Sequence, residues 1–290
     1  MENFKITVSI IIPTCYSRNS VQNSVASVLN QNYPNLEVIV VDDNNTDCRN
    51  NLRQLLGNDR RIKIVRNSKK HGASQARNFG VNVASGELIT FLDDDDCFMP
   101  GRLKSMVEVF NTVGNDYSFI SSGRFTETGD FSGIELVCDQ KFGRISMNDV
   151  IFSNNIDIGV LIKRDFFVEL KGFDENLNSL EDWDLFIRAL KIKDAYKIKR
   201  FDYVASKTDS DYRVSAREHK GYFDIAKKYG SQFGKKWICT MNAKGLLLSG
   251  RLSLGVVLLL SFKSCSIRPL NVYLSAKYPR TIRTLKKYIL

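Results

Sequence analysis

Apolar runs recur along the first hundred positions, and each stops at a polar turn. Val8 to Ile12 ends at Pro13, Val38 to Val41 at Asp42-Asp43, and Leu88 to Leu92 at the four aspartates Asp93 to Asp96. Runs of that length, bounded by turn residues, predict buried strands of a parallel sheet. Between the first two lie Val21, Val25, Val28 and Leu29, the i, i+4, i+7, i+8 spacing of one buried helix face, closed by Asn32-Tyr33-Pro34-Asn35. The pattern predicts strands over 8–12, 36–41, 61–65 and 87–92, with further helices over 47–56 and 73–84. Strands separated by helices of this length imply right-handed βαβ crossovers, and so an α/β, Rossmann-type and mainly parallel sheet flanked by helices.

Past Asp96 the alternation changes. Pro100 suits a first helical position, predicting a helix to about 111. Strands are expected over 117–122, 133–138 and 158–163, and a helix over 180–192 with Leu185, Phe186, Ala189 and Leu190 on one face. Residues 97–230 would complete the same domain with a mixed sheet. Residues 231–290 form a helical extension rich in leucine and basic side chains. Within it Leu252 to Phe262 is apolar but eleven residues long, short of the ~20 needed to span a bilayer. Flanked by Arg251 and Lys263, it would lie in a membrane interface or pack on the domain.

Charge sharpens this division. The chain of 290 residues carries a net charge of +10, yet the first 224 residues hold 29 cations against 32 acids, and 13 cations follow Asp224 with no acid among them. The basic character belongs to the tail, where it suits an anionic leaflet. No nucleic-acid recognition motif accompanies it, so a nucleic-acid partner is not expected. Six cysteines without a Cys-x-x-Cys pair, and no secretory leader, lead us to expect reduced thiols and a cytoplasmic protein, peripheral on the inner membrane face. Two histidines leave little material for histidine zinc sites or Ser-His-Asp triads.

The acidic clusters carry the chemistry. Ligands of open α/β sheets sit beyond the carboxyl ends of the strands, where these clusters fall. Six carboxylates around one crevice repel unless a cation or bound hydroxyls satisfy them. That composition suits a metal and a sugar nucleotide.

An ordered set of motifs narrows this further. It comprises Val8-Ser9-Ile10-Ile11-Ile12-Pro13-Thr14, Ser27-Val28-Leu29-Asn30-Gln31, Val40-Val41-Asp42-Asp43, Gly72-Ala73-Ser74-Gln75-Ala76-Arg77-Asn78, Gly86-Glu87 and Phe91-Leu92-Asp93-Asp94-Asp95-Asp96. Gly172-Phe173-Asp174-Glu175 and Glu181-Asp182-Trp183-Asp184 complete it. In order and spacing, over roughly residues 7–215, the chain resembles the family-2 glycosyltransferases of GT-A fold. The resemblance implies a nucleotide-binding half over 1–96 and an acceptor-binding half over 97–230. It implies an inverting transfer from a nucleotide-sugar, a UDP-sugar in our reading, to a glycan or polyprenyl-linked acceptor in surface-polysaccharide assembly.

It also implies roles, each beside a plainer alternative. Asp43 would accept the uracil imide N–H, with main-chain groups of Pro13 and Thr14 lining the pocket; alternatively, Asp42 to Asn45 turns the chain and caps the next helix. Arg77 would meet phosphate or base, or stand as a solvated helix residue. Asp95 would hold Mn²⁺ or Mg²⁺, with Asp93 or Asp94 near the ribose; the alternative is a solvated acidic turn. Asp96 would cap the segment leading to Pro100. Asp182 would be the general base beside Glu181, or the last member of a capping box begun by Ser179. Trp183 is a sugar platform or core. Tyr212 and Arg213 fall where the family often has a loop over the diphosphate. One departure is Cys15-Tyr16, where the family usually has Tyr-Asn after Pro-Thr.

Two other functional classes remain. A nucleotidyltransferase would share the α/β core but usually opens with a Gly-rich loop after the first strand, which Pro13-Thr14-Cys15-Tyr16 is not. An inactive homologue serving as a membrane-bound assembly partner is opposed by the intact Asp93–Asp96 cluster and Asp182.

Overall fold

The computed structural model describes residues 6–15, 20–68, 72–127, 133–136, 140–177, 179–206 and 218–278. Grouping by backbone proximity separates two compact units, Met1–Glu175 with Asp182–Asp209, and Asn176–Glu181 with Ser210–Leu290.

The first unit is built on two sheets. Strands β1 (Val8–Thr14), β2 (Leu36–Asp42), β3 (Ile62–Arg66) and β4 (Leu88–Phe91) alternate with helices α1 (Ser20–Leu29), α2 (Arg49–Leu56) and α3 (Ala73–Val83). Their order in the sheet is β3-β2-β1-β4, all parallel, with the short β9 (Ile162–Lys163) antiparallel at the edge. The central strands are mostly apolar because helices cover both faces: Val8, Ile10, Ile11, Ile12, Val38, Ile39, Val40 and Val41 are all fully buried. Gly86 opens the turn into β4, where a Cβ would stand 2.8 Å from the Ser9 amide nitrogen and 2.9 Å from the Thr7 carbonyl oxygen. Only a glycine lets the backbones approach so closely.

The second sheet runs β5-β10-β6-β7, with β8 (Gly143–Ile145) also pairing with β10. Its members are β5 (Cys97–Phe98), β6 (Ile120–Glu127), β7 (Ile134–Leu136) and the twelve-residue β10 (Ala195–Ser206). Strand β10 joins β6 in parallel and β5 and β8 antiparallel. A bridge between Ile120 and Leu161 ties β6 to the chain entering β9, so the two sheets meet there. Helices α4 (Arg102–Val113), α5 (Met147–Val150), α6 (Arg164–Glu169) and α7 (Glu181–Leu190) complete the unit, the first residue of α7 being counted with the second unit.

Several elements differ from the sequence expectation. Helix α4 begins at Arg102 rather than Pro100, because Gly101 takes a left-handed conformation (φ 79°) before the first turn. The expected strand 158–163 is regular only over β9, and β6 begins three residues later than foreseen. Strand β10 was not anticipated at all. Its buried positions include the charged Lys197 and Asp202, which mask the alternation of a half-buried strand.

The second unit contains α8 (Glu218–Leu248), α9 (Leu254–Ser264) and α10 (Arg268–Lys277), which pack on one another. Helix α8 is broken at Gly234 (φ 78°, ψ 179°), a conformation that favours glycine. Trp237 is buried edge-on to Tyr229 and Phe233, and the charge step after Asp224 falls inside α8. No helix among the described residues is long and apolar enough to cross a membrane.

Candidate active site

Strands β1, β2 and β4 are parallel neighbours, so their carboxyl ends lie at one edge of the sheet. That edge carries Thr14, Asp42-Asp43 and Asp93–Asp96, and one side-chain and one backbone bond link its three strand ends. The Thr14 hydroxyl donates to Asp94 Oδ2 at 2.6 Å, linking β1 to the turn after β4. The Asp43 amide donates to the Thr14 carbonyl at 2.9 Å, linking β2 to β1. Pro13 precedes this pair and is half-buried.

The two aspartates after β2 have different work. Asp42, fully buried, accepts from the Asn44 amide and side chain, the Cys48 amide at 2.8 Å and Arg66. It is the residue that shapes the loop and the start of α2. Asp43 instead reaches the third crossover, accepting from Asn67 Nδ2 at 2.8 Å and the Gly72 amide at 2.7 Å. The turn-and-cap alternative therefore describes Asp42, while Asp43 bridges β2 to the N-terminus of α3. Position 71 lies outside the described residues.

Arg77 does not stand as a solvated helix residue. It is 4% exposed on α3, pairs with Asp93, and its guanidinium lies 5.6 Å from the centre of the Phe173 ring. Phe173 in turn packs edge-on to Phe91 and Phe167. The Asn78 side chain holds the turn that carries Phe173, donating to its carbonyl at 3.0 Å and accepting from its amide at 2.9 Å. The Gly-Phe-Asp-Glu motif is thus fastened to α3, which also presents Arg77 to the acidic turn.

The acidic turn is not one solvated cluster. Asp93 meets Arg77 and Asp94 meets Thr14. Asp96 is buried, accepting from the Tyr203 hydroxyl at 2.6 Å and the Ser206 amide at 2.8 Å, while its carbonyl accepts from Ser24. Rather than capping the path to Pro100, it fastens the end of β4 to β10. Burial, then the nearby Asp93 and Asp95 charges, push its carboxyl well above the ordinary range. Asp95 is half-buried at the tip of the turn.

No group of three or more His, Cys, Asp or Glu among the described residues could hold a metal by itself. A Mg²⁺-type ion needs less, because one or two carboxylates and the substrate's phosphates complete its shell. Hard carboxylate oxygens at this turn fit that demand.

Asp182 sits in the first turn of α7. Its Oδ2 accepts from Asn154 Nδ2 at 2.9 Å and its Oδ1 from the Trp183 amide at 2.6 Å, which fixes the carboxylate's orientation. Ser179 cannot begin a capping box here. Leu180, which would be the first helical residue, is left-handed with φ 61°. A leucine held there is strained by roughly 1–2 kcal/mol, the kind of strain found near functional sites. Trp183 is 1% exposed and its indole N–H donates to the Val150 carbonyl at 2.9 Å, so its ring is core and not a sugar platform. Glu181 is buried in the second unit. Tyr212 and Arg213 lie outside the described residues.

Sequence reasoning missed a set of charges at the second sheet, most of them buried. Arg124 on β6 pairs with Asp157 and feels the Asp182 charge. Arg102 is fully buried, bonded to Asp202, Ser122 and the Gly159 carbonyl, and lies over the rings of Phe98 and Tyr203 at 4.7 and 5.3 Å. Lys197 is buried with its ammonium donating to the Asn155 carbonyl at 2.6 Å, and desolvation lowers it to about 8. Only the unusual charge density of Lys197-Ile198-Lys199-Arg200-Phe201-Asp202 hinted at them.

Known proteins are similar to this chain in sequence and in fold. A protein of Haemophilus influenzae named as an uncharacterized glycosyltransferase is 29% identical over 186 residues, 63% of this chain and 62% of its own. The Campylobacter jejuni GalNAc(5)-diNAcBac-PP-undecaprenol beta-1,3-glucosyltransferase is 29% identical over 232 residues, 76% of this chain and 73% of its own. The chain thus spans less than two thirds of the first of these relatives. Among solved structures, S. aureus TarS 1–349 in complex with UDP-GlcNAc superimposes with a TM-score of 0.60 over 87% of this chain and 76% of that one. At 17% identity that likeness is one of fold, the GT-A arrangement of a mixed, mainly parallel sheet. The sequence profile described as glycosyl transferase family 2 matches residues 9–156, just over half of the chain, and this protein belongs to that family.

Proposed function

We propose that the chain is an inverting, metal-dependent transferase that moves a sugar from a UDP-sugar to a lipid-linked glycan in surface-polysaccharide biosynthesis. One observation carries the reading: Thr14, Asp43 and Asp94 are bonded across three neighbouring strand ends at a single sheet edge, with Asp93, Asp95 and Asp96 in the same turn as Asp94. In support, the Campylobacter relative is named for a PP-undecaprenol substrate, and the Escherichia coli WfgD glucosyltransferase, 36% identical over 113 residues, for UDP-Glc and a diphosphoundecaprenol. The latter match covers 39% of this chain and 44% of that protein.

In this reading Asp43 orients uracil, beside the main chain of Pro13 and Thr14. Asp93 and Asp94 border the ribose, and Arg77 fixes Asp93 in place. Asp95 holds the divalent ion, which when bound neutralises the departing diphosphate as a Lewis acid. Asp182 takes the proton from the acceptor hydroxyl as that oxygen attacks the anomeric carbon opposite the diphosphate. Glu181 adjoins that base. The basic residues of 236–290 place the protein against the anionic inner leaflet, where a polyprenyl-linked acceptor is held.

The test is calorimetry with UDP and Mn²⁺, followed by hydrolysis of UDP-, GDP- and TDP-sugars. UDP binding that strengthens with Mn²⁺, and weakens at least about tenfold in Asp95→Ala, is expected. Unchanged affinity in that variant overturns the role of Asp95, and no turnover of any nucleotide-sugar overturns the transferase reading.

A further inference from the structure

Helix α9, Leu254–Ser264, carries its polarity inside out. A helix on a soluble surface turns its apolar stripe inward and polar side chains outward. Here Val257 is the buried position, with α8 and α10 packed against the helix. The outward face is apolar: Leu254, Leu258 and Leu259 are half exposed and Phe262 is 83% exposed. These positions follow i, i+4, i+5, i+8, so they form one continuous stripe. Ile267, in the turn just past the end of the helix, is 69% exposed as well.

The surroundings select the partner. Arg251 stands before the stripe, Lys263 within its last turn and Arg268 after it, all exposed. No acidic residue occurs anywhere after Asp224, so nothing in the last 66 residues offsets this charge. An exposed leucine and phenylalanine face framed by cations is the composition of a helix that lies in a lipid interface. Eleven residues give a helix about 16 Å long, enough to rest in the headgroup layer and too short to span.

We infer that the face formed by Leu254, Leu258, Leu259, Phe262 and Ile267 docks into the surface of an anionic phospholipid bilayer, with Arg251, Lys263 and Arg268 on lipid phosphates. This deepens the membrane placement proposed above by naming the surface that makes contact. It uses neither donor nor acceptor.

The experiment is flotation of the full chain with vesicles of phosphatidylcholine alone or mixed with phosphatidylglycerol, at low and high salt. The protein should float with the anionic vesicles and be released as salt screens the cations. The double variant Leu258→Gln/Phe262→Gln should partition at least about tenfold more weakly. Its circular dichroism should be unchanged and its thermal melting should move little, since Phe262 is exposed and Leu258 half exposed. The inference is overturned if the wild-type chain does not float with anionic vesicles, or if the double variant floats equally well. It is also overturned if the face instead holds two copies together, seen as a dimer that the double variant dissociates and vesicles do not. Nucleotide-sugar hydrolysis, run on both proteins, keeps the two readings apart. Intact flotation without turnover removes the transferase assignment and leaves the docking face standing.

Discussion

Replacing Asp182 by asparagine separates a catalytic carboxylate from a merely structural one. The change preserves shape and one acceptor oxygen, so the Trp183 amide keeps its partner. The new amide then faces the Asn154 side chain, donor against donor. Asn154 cannot turn over to present its oxygen, because that oxygen accepts from the Ile156 amide at 3.0 Å. The variant therefore loses one hydrogen bond, about 1 kcal/mol. Against a total stability of roughly 5–15 kcal/mol, it stays folded. In the proposed role of Asp182 the chemical cost is much larger: removing a positioned base lowers kcat by about 10²–10⁴, or roughly 3–5 kcal/mol of barrier. Thermal melting and UDP calorimetry should thus move little, while UDP release from the donor, with lipid-linked glycan supplied, falls by orders of magnitude. A variant that turns over within about threefold of the wild type would refute the assignment. So would a variant whose loss of rate is matched by a loss of fold.

Other consequences concern the buried charges. Arg102→Ala leaves Asp202 buried with Arg200 as its remaining charged partner and the Ser122 hydroxyl still donating to it, and should cost about 3–5 kcal/mol in urea unfolding. For Lys197, the folded value of about 8 lies below its ordinary 10.5, so the unfolded chain binds more protons between these limits. Stability should therefore rise as pH increases from about 8 to about 10, by up to roughly 3 kcal/mol from this group. Lys197→Met should flatten that rise in denaturation curves taken at successive pH values. Gly86→Ala drives a methyl group into the Ser9 and Thr7 backbone and should destabilise by about 1–3 kcal/mol, read as a lowered melting temperature.

How much of this was legible follows from where charge sits relative to the core. Strands β1, β2 and β4 announce themselves because both faces are covered and most positions are apolar. Helices α1 and α3 were readable for the related reason that one face of each is buried. Strand β10 breaks that logic: Lys197 and Asp202 are interior, satisfied by Asn155 and Arg102 from distant parts of the chain. No local pattern encodes such partners. The site shows the same divide. The Asp42-Asp43 and Asp93–Asp96 clusters stood out by composition, but their separate duties depend on Arg66, Asn67, Arg77 and Tyr203, each far away in sequence. Ser179 misled as a capping residue because a left-handed leucine cannot be foreseen from residue type. The fold was thus written in short-range pattern, and the division of labour among the aspartates in long-range pairing.

The turn of four aspartates has one more property. It leaves the first sheet at Phe91 and enters the second at Cys97, so it is the seam along which the two sheets of the first unit are sewn. Loosening either layer, even at a residue remote from any ligand, should first be felt as weakened nucleotide affinity and only later as unfolding. In the proposed function, affinity for UDP thereby becomes a gauge of how well the layers are joined. A substitution that dims activity here need not have touched the chemistry at all.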